Sequence, residues 1–251
     1  MESSGIHVIL KAEPLGALWG IPITNSLLMT WIAMGLIFLF VFLFRRQIAL
    51  VPGKLQTTLE WGVEGALGYM TETLEDAKLA KRFFPLIATL FLFILTINLL
   101  EFFPGVGSLG FFSEHGFTPL LRASTADLNT ALALTLISVI TVEVIGFVTL
   151  GFFRYGGKFI NFSSPLNFVV GLIELVSELG RLVSLSFRLF GNIFAGEVLI
   201  AVIGLFAPYV VPVPFMLFEV FVGFVQAVIF ALLTLFFIKL AVTPPHDSEA
   251  H

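Results

Sequence analysis

The feature that most constrains this chain is the length of its apolar stretches. About 20 apolar residues cross a bilayer as a helix, and the region 166–242 is far longer, broken only by Pro208, Pro212 and Pro214. Of the 251 residues, 58% are hydrophobic and 12% are charged, whereas about a quarter of a soluble domain is charged. The sequence therefore predicts an all-α, polytopic membrane protein.

Five membrane helices are predicted within a single membrane domain that comprises residues 1–251. They cover residues 27–44, 84–103, 128–153, 166–206 and 214–241. Pro85 is expected in the first turn of the second helix, where its missing N–H is harmless. The helix 166–206 rises about 60 Å, twice the hydrocarbon thickness of about 30 Å. The last two helices are therefore predicted to form a long, steeply tilted hairpin, unless the first kinks at Gly191 or Gly196.

A further helix is predicted over residues 53–80, between the first two membrane helices. Its apolar positions recur at spacings of three and four, on Leu55, Leu59, Val63, Leu67, Met70 and Leu74. Its other faces carry acidic residues, so we expect an amphipathic helix on the cytoplasmic surface or against a partner.

The basic residues indicate the orientation of the chain. Of the 13 Lys and Arg residues, nine fall on one side of a five-span topology, Lys11 and Arg122 fall on the other, and Arg181 and Arg188 lie within the membrane. The basic side is expected to be cytoplasmic. Segment 1–26 is then outside the cytoplasm and the tail 242–251 is inside it.

Composition also excludes several classes of function. The chain has no Cys, so disulfides, thiol nucleophiles and thiolate metal sites are excluded. Its net charge of −4 comes with no basic patch, which argues against nucleic acid. Gly105-Val106-Gly107 is not followed by Gly-Lys-Ser/Thr, so it does not form a phosphate-binding loop. We expect no metal, no cofactor and no catalytic residue.

Arg188 is the residue that most strongly indicates function. Its guanidinium does not deprotonate in proteins, and a permanent cation at bilayer depth marks an ion path, a relay or a counter-ion. The helix itself offers no acid three or four residues away. We therefore expect the negative partner of Arg188 on another helix or another subunit.

Other polar side chains follow the same helix and the last one. A polar stripe is formed by Glu174, Glu178, Arg181, Arg188 and Asn192, which lie within about 80° of one another. Glu178 and Arg181 either pair structurally or line an ion path. In the last helix, Gln226 is expected to accept a hydrogen bond from Arg188 or to join the two helices.

Depth in the membrane divides the acidic residues into two groups separated by Arg188. The outer group is predicted to contain Glu197, Glu219, Asp127, Glu101 and His115, with Asn129 beside them. The inner group is predicted to contain Glu174, Glu178 and Glu143. This arrangement predicts two aqueous half-paths that do not meet, so an ion would pass only on a mobile carboxylate. Glu197 either relays ions or belongs to a structural network, and Glu143 either joins helices or is functional.

The intramembrane motif closely resembles the a subunit of F-type ATP synthases. The resemblance covers residues 20–242 and is carried by Arg188-Leu189-Phe190-Gly191-Asn192, Ala195-Gly196-Glu197, Gln226 and Ser124-Thr125-Ala126-Asp127-Leu128-Asn129. It implies a non-catalytic stator subunit with two offset half-channels, pressed against a ring of c subunits. Arg188 matches the family's essential arginine, and Asn192, Glu197 and Gln226 match polar positions along the ion route. Position 219 is His or an acid in that family.

The resemblance also implies partners and a location. It implies contact with the b-subunit stalk and other ATP synthase subunits, with nucleotide chemistry left to those subunits. The ion is expected to be a proton, with Na⁺ as the alternative, and the location is a bacterial inner membrane or an organelle membrane. The alternative functions are a standalone transporter or channel for an anionic substrate, and a purely structural membrane anchor.

Overall fold

The computed structural model describes residues 13–18, 20–46, 48–103, 106, 110–113, 116–151, 155–157, 165–207 and 210–243. Its helices are α1 (Asn25–Arg45), α2 (Lys54–Leu74), α3 (Ala77–Leu100), α4 (Leu128–Leu150), α5 (Pro165–Phe206) and α6 (Pro212–Val242). Its strands are β1 (Pro14–Leu18), β2 (Ile21–Thr24), β3 (Gly110–Ser113) and β4 (Gly116–Pro119). All helices except α2 are long and apolar enough to span a bilayer. The prediction of an all-α, polytopic membrane protein is confirmed.

Two antiparallel hairpins, β1–β2 and β3–β4, were not predicted. They lie before the first predicted membrane helix and between the second and the third. The Asn25 side-chain amide donates to the Pro119 carbonyl at 3.3 Å, so the start of α1 is tied to the end of the second hairpin. The hairpins therefore form a small layer at the end of the bundle where α1 and α4 begin.

The boundary between α2 and α3 corrects the predicted helix 53–80. α2 ends at Leu74 because Glu75 adopts a left-handed conformation with φ of 57°, and such a residue terminates a helix. Asp76 then caps α3, its carboxylate accepting from the N–H groups of Lys78 at 2.6 Å and Leu79 at 3.3 Å. Residues 77–80 therefore belong to the following membrane helix.

The early start of α3 also corrects the expected position of Pro85. It lies well inside the helix, where its missing N–H removes one helical hydrogen bond. The Thr89 hydroxyl donates to the Pro85 carbonyl at 2.6 Å. This side-chain hydrogen bond is formed one turn after the proline.

Helix α6 is the centre of the bundle. It packs most extensively against α3, and also against α4 and α5. Fully buried side chains such as Phe230, Leu235 and Ile238 run along its length. Between α4 and α6, the hydroxyls of Ser138 and Thr234 lie 2.9 Å apart. Because α6 is surrounded on three sides, its polar residues are held in fixed positions.

Helices α1 and α5 are much more exposed. α1 buries Met29 and Ala33, whereas Phe38 is 74% exposed. α5 is continuous from Pro165 to Phe206, without the break considered at Gly191 or Gly196. Large apolar surfaces at the edge of a membrane bundle are covered by lipid or by other subunits. α5 therefore presents one open face along the whole thickness of the bundle.

Candidate ion-translocation site

The position of Arg188 follows from the two faces of α5. Leu185, Leu189 and Ile193 are buried, at a spacing of four residues, and face the rest of the bundle. Ser184 and Asn192 are exposed and Arg188 is half-buried. The guanidinium therefore belongs to the margin of the open face rather than to the core.

Arg188 has no ion pair and no hydrogen bond with any residue that the structure describes. A permanent cation without a counter-charge is costly inside a membrane. Since the surrounding helices offer no carboxylate to Arg188, the arrangement leaves this charge available to a group outside the described chain.

Asn192 and Gln226 join α5 to α6 at the next turn. The Asn192 side-chain amide donates to Gln226 Oε1 at 2.7 Å. Of the two alternatives predicted for Gln226, the structure shows the one in which it joins the two helices, because its acceptor is taken by Asn192, one turn beyond Arg188. Gln226 is 1% exposed, so this polar contact is held within the bundle.

Glu219 is the most buried acidic residue of the site, with 5% of its surface exposed. Its carboxyl group lies directly against Gly196 of α5, in space that a side chain at position 196 would occupy. Glu219 Oε1 is buried and has no hydrogen-bond partner in the described part of the chain. A glycine at position 196 is therefore required for this close approach.

Glu197 and Glu101 lie close to Glu219. Arg122 Nη2 lies 3.4 Å from Glu197 Oε2. The Glu101 carboxyl interacts electrostatically with Glu197, Glu219 and Arg122, and its Oε2 is buried with no partner among the described residues. Three predicted members of the outer group thus come together from α5, α6 and the end of α3.

The other predicted members of the outer group have different surroundings. Asp127 caps α4, and its carboxylate accepts from the Asn129 N–H at 3.1 Å. This contact is typical of a structural helix cap. The Asn129 side chain is exposed, and His115 lies outside the residues that the structure describes.

Asn98 is a polar residue of the site that the sequence analysis missed. Its amide donates to the Gly223 carbonyl at 3.0 Å, and its Oδ1 accepts from the Thr125 hydroxyl at 3.0 Å. Gly223 leaves room for this side chain, because a Cβ at position 223 would lie 3.0 Å from Asn98 Cβ. An Asn in an otherwise apolar stretch of the sequence was the signal that could have identified it.

The inner group is organised around Arg181. Arg181 Nη1 lies 2.6 Å from Glu178 Oε1, and Nη2 lies 3.9 Å from Glu174 Oε1. The guanidinium also lies over the Phe237 ring, 5.0 Å from its centre. The predicted pairing of Glu178 and Arg181 is therefore present and is braced against α6.

Glu143 of α4 has a partner that the sequence did not indicate. It shares a side-chain hydrogen bond with Tyr155, whose ring occupies the space beside Gly146. Burial raises the pKa of the Tyr155 hydroxyl, and the negative charge of Glu143 raises it further. This hydroxyl therefore stays protonated and donates to the carboxylate.

These positions match a known protein family. The family model described as ATP synthase A chain matches residues 27–239, which include nearly all of the membrane helices and both acidic groups. The chain belongs to the ATP synthase A chain family. It is accordingly a multi-pass, ion-translocating subunit of the membrane sector of an ATP synthase.

Individual relatives cover most of the chain. ATP synthase subunit a of Moorella thermoacetica is 36% identical over 218 residues, which are 87% of this chain and 90% of the relative. ATP synthase subunit a of Desulfotalea psychrophila is 37% identical, over 86% of this chain and 84% of the relative. The sodium ion specific ATP synthase subunit a of Propionigenium modestum is 35% identical, over 90% of this chain and 77% of the relative.

Proposed function

We propose that this chain provides the ion path of a rotary ATP synthase, with Arg188 facing the carboxylates of a c-subunit ring. The observation that carries the proposal is the half-buried guanidinium on the open face of α5, without a counter-charge in the described part of the chain. A negative group on a neighbouring subunit would supply the missing charge.

Two half-channels would reach Arg188 from opposite sides of the membrane. Glu101, Glu197 and Glu219 would form the outer half-channel, with Asn192 and Gln226 near its inner end. The inner half-channel would be lined by Glu174, Glu178, Arg181 and Glu143. Asp127 and Asn129 would lie at the outer edge of the path. In this proposal the two groups would not be connected across Arg188, so an ion would have to travel on the ring.

A fixed positive charge explains how such a path conducts without leaking. Two unit charges 4 Å apart attract by about 4 kcal/mol at an effective dielectric constant of 20. A ring carboxylate passing Arg188 would therefore be held in its ionised form and would release its proton to the inner side. A proton or metal cation moving directly between the half-channels would meet the same charge as a barrier.

The proposed ion is the proton, because the outer path is built from carboxyl groups that bind and release protons. One relative carries a sodium-specific name, so Na⁺ is the alternative, to be distinguished by the dependence of ATP synthesis on Na⁺. The partners are the c ring, the b-subunit stalk, the other ATP synthase subunits and lipid. The proposed location is a bacterial cytoplasmic membrane, with the N-terminal segment outside and the tail 242–251 inside.

The chain itself performs no nucleotide chemistry in this proposal. Ion flow past Arg188 turns the ring, and other subunits of the complex couple that rotation to ATP. A purified chain without its ring would therefore show no coupled ion transport.

The decisive variant is Arg188→Ala in the whole ATP synthase. We expect the complex to assemble and ion-coupled ATP synthesis to be lost, since the ring carboxylate would lose its counter-charge. Arg46→Ala is the matched control, because Arg46 is exposed and lies over Phe42 at the end of α1. ATP synthesis at the normal rate in Arg188→Ala proteoliposomes would refute the proposal.

A further inference from the structure

Tyr155 is a buried side chain that the proposed ion path does not include. It follows the end of α4, yet only 2% of its surface is exposed. A buried phenol hydroxyl is costly unless it is hydrogen-bonded. The surroundings of both the ring and the hydroxyl therefore indicate what this residue does.

The backbone before Tyr155 turns the chain back against the end of α4. Gly151 follows α4 with a positive φ of 84°, a conformation that glycine adopts without strain. Its N–H donates to the Phe147 carbonyl, and the Tyr155 N–H donates to the Gly151 carbonyl, both at 3.0 Å. These hydrogen bonds place position 155 beside the last turns of α4.

The ring of Tyr155 is confined on α4. It occupies the space beside Gly146 that a side chain at that position would need. It also meets the Phe147 ring edge-on, with the ring centroids 4.8 Å apart, a geometry that aromatic pairs favour. Met70 of α2 and Leu235 of α6 belong to the same buried cluster. Packing on several sides therefore fixes the direction of the hydroxyl.

The hydroxyl of Tyr155 reaches the inner acidic group. It shares a hydrogen bond with Glu143 of α4 and interacts electrostatically with Glu178 and Arg181 of α5. Because burial and the charge of Glu143 raise the pKa of this hydroxyl, it stays protonated and acts as the donor. One phenol therefore joins the end of α4 to the charges of α5.

The three acids of the inner group are held by different kinds of donor. Arg181 lies within ion-pairing distance of Glu174 and Glu178, whereas Glu143 receives a hydrogen bond from a neutral phenol. Negative charge along a cleft attracts cations. A neutral donor fixes the Glu143 carboxylate without cancelling its charge, which a Lys or Arg at position 155 would do.

We propose that Tyr155 is a positioning residue of the inner half-channel, which fixes the carboxylate of Glu143 beside the charges of α5 while leaving it negative. This inference rests on the proposed function and adds to its inner half. A proton released from the ring would leave past a negative charge of fixed position, which favours its passage to the cytoplasmic side.

The test is a double-variant cycle in the whole ATP synthase, reconstituted with the outer acidic group facing the vesicle lumen. ATP synthesis is measured per assembled complex. Tyr155→Phe keeps the ring but removes the donor, so we expect synthesis to fall about fivefold. Glu143→Gln should have a similar effect, since it removes the charge that Tyr155 positions. Because both changes act on one contact, Tyr155→Phe/Glu143→Gln should also be about fivefold slower, whereas independent changes would give roughly 25-fold.

A chemical replacement separates the hydrogen bond from the packing of the ring. Replacement of Tyr155 by para-aminophenylalanine keeps the ring and a neutral N–H donor, so it should restore most of the rate lost in Tyr155→Phe. Replacement by para-methylphenylalanine fills the same space without a donor and should stay as slow as Tyr155→Phe. A role confined to packing would not distinguish the two, since both side chains fill the site.

Two controls complete the cycle. Tyr69→Phe removes the hydroxyl of an exposed tyrosine on α2 and should leave the rate unchanged. If Tyr155→Phe does not assemble, Gly146→Ala takes its place with the same expected loss, because the added methyl would displace the ring of Tyr155. Gly156→Ala is the control for that variant, since a Cβ at position 156 would meet nothing within 4 Å.

The inference would be overturned by a normal rate in Tyr155→Phe or in Glu143→Gln, or by losses that multiply in the double variant. Equal rates with the two replacement side chains would also overturn it, as would a normal rate in Gly146→Ala where that variant carries the test. Arg188→Ala tests the proposed function separately. If Arg188→Ala abolishes synthesis while Tyr155→Phe is normal, the proposed function stands and only the assignment of Tyr155 fails.

Discussion

The outer and inner acidic groups differ in how many of their carboxylates are paired with a cation. In the outer group, Glu101 and Glu219 each bury a carboxyl oxygen that has no partner among the described residues. In the inner group, Glu174 and Glu178 both lie within ion-pairing distance of Arg181. A buried acid without a partner gains most from binding a proton, whereas a paired carboxylate gains least. Under the proposed function, proton uptake would depend on the outer group, whereas the paired carboxylates of the inner group would line the exit path and also hold α5 against α6.

Among the acidic residues of the two groups, the largest effect is expected at Glu219. Glu219→Gln keeps the size of the side chain but removes its ability to carry a proton, so we expect ATP synthesis to fall about 100-fold. Assembly should be preserved, because the amide still fits against Gly196. The measurement is ATP synthesis by the reconstituted complex over a range of lumenal pH.

Gly196→Ala tests the same site through its packing. A methyl group at position 196 would occupy the space of the Glu219 carboxyl, so synthesis should fall with the carboxyl still present. Gly191→Ala is the matched control, because a Cβ at position 191 would meet nothing within 4 Å. Normal proton pumping by Glu219→Gln at every pH would contradict the difference proposed between the outer and inner acidic groups.

A much smaller effect is expected at Arg181. Its pair with Glu178 is partly exposed and spaced i,i+3, and such pairs contribute about 0.5 kcal/mol. Arg181→Gln should therefore change synthesis by no more than about fivefold, the equivalent of about 1 kcal/mol. The readout is the same synthesis assay together with the thermal stability of the complex. A loss as large as that of Glu219→Gln would show that the inner group carries the ion as strictly as the outer one.

These two groups also show how far the sequence could be read. Arg188 was identifiable because a permanent cation in an apolar helix has few explanations, and the pair Glu178–Arg181 follows from helical spacing alone. The contacts of Arg122 with Glu197, and of Asn98 with Gly223, join residues 75 and 125 positions apart. No local pattern specifies such pairs, because they depend on how the helices pack.

Helix boundaries show the same limit. The apolar periodicity of α2 runs on toward residue 80, but the left-handed Glu75 and the Asp76 cap end it at Leu74. In the first half of α2, Leu55 and Val63 are exposed, although they belong to the same apolar stripe as the buried Met70. Periodicity therefore predicts which residues share a face, whereas the neighbouring helices decide how much of that face is covered.

The smallest expected effect concerns the exposed pair outside the path. Lys239 Nζ lies 2.9 Å from Glu75 Oε1, and this hydrogen bond, with the charge of Lys239, lowers the pKa of Glu75. A lowered native pKa means that the pair stabilises the fold above the ordinary pKa of Glu, about 4.3. That contribution is lost as the pH falls through the lower native pKa. In Glu75→Gln, thermal stability should therefore fall slightly less as the pH is lowered. An unchanged dependence of thermal stability on pH would show that the pair contributes nothing.

The central claim is that the counter-charge of Arg188 belongs to a different, moving subunit, and an experimental map of the assembled complex tests it most directly. The account predicts a ring of c subunits along the open face of α5, with a ring carboxylate within about 4 Å of the Arg188 guanidinium in one rotational state. A guanidinium paired within its own chain, or directed at lipid with no acid beside it, would contradict the account.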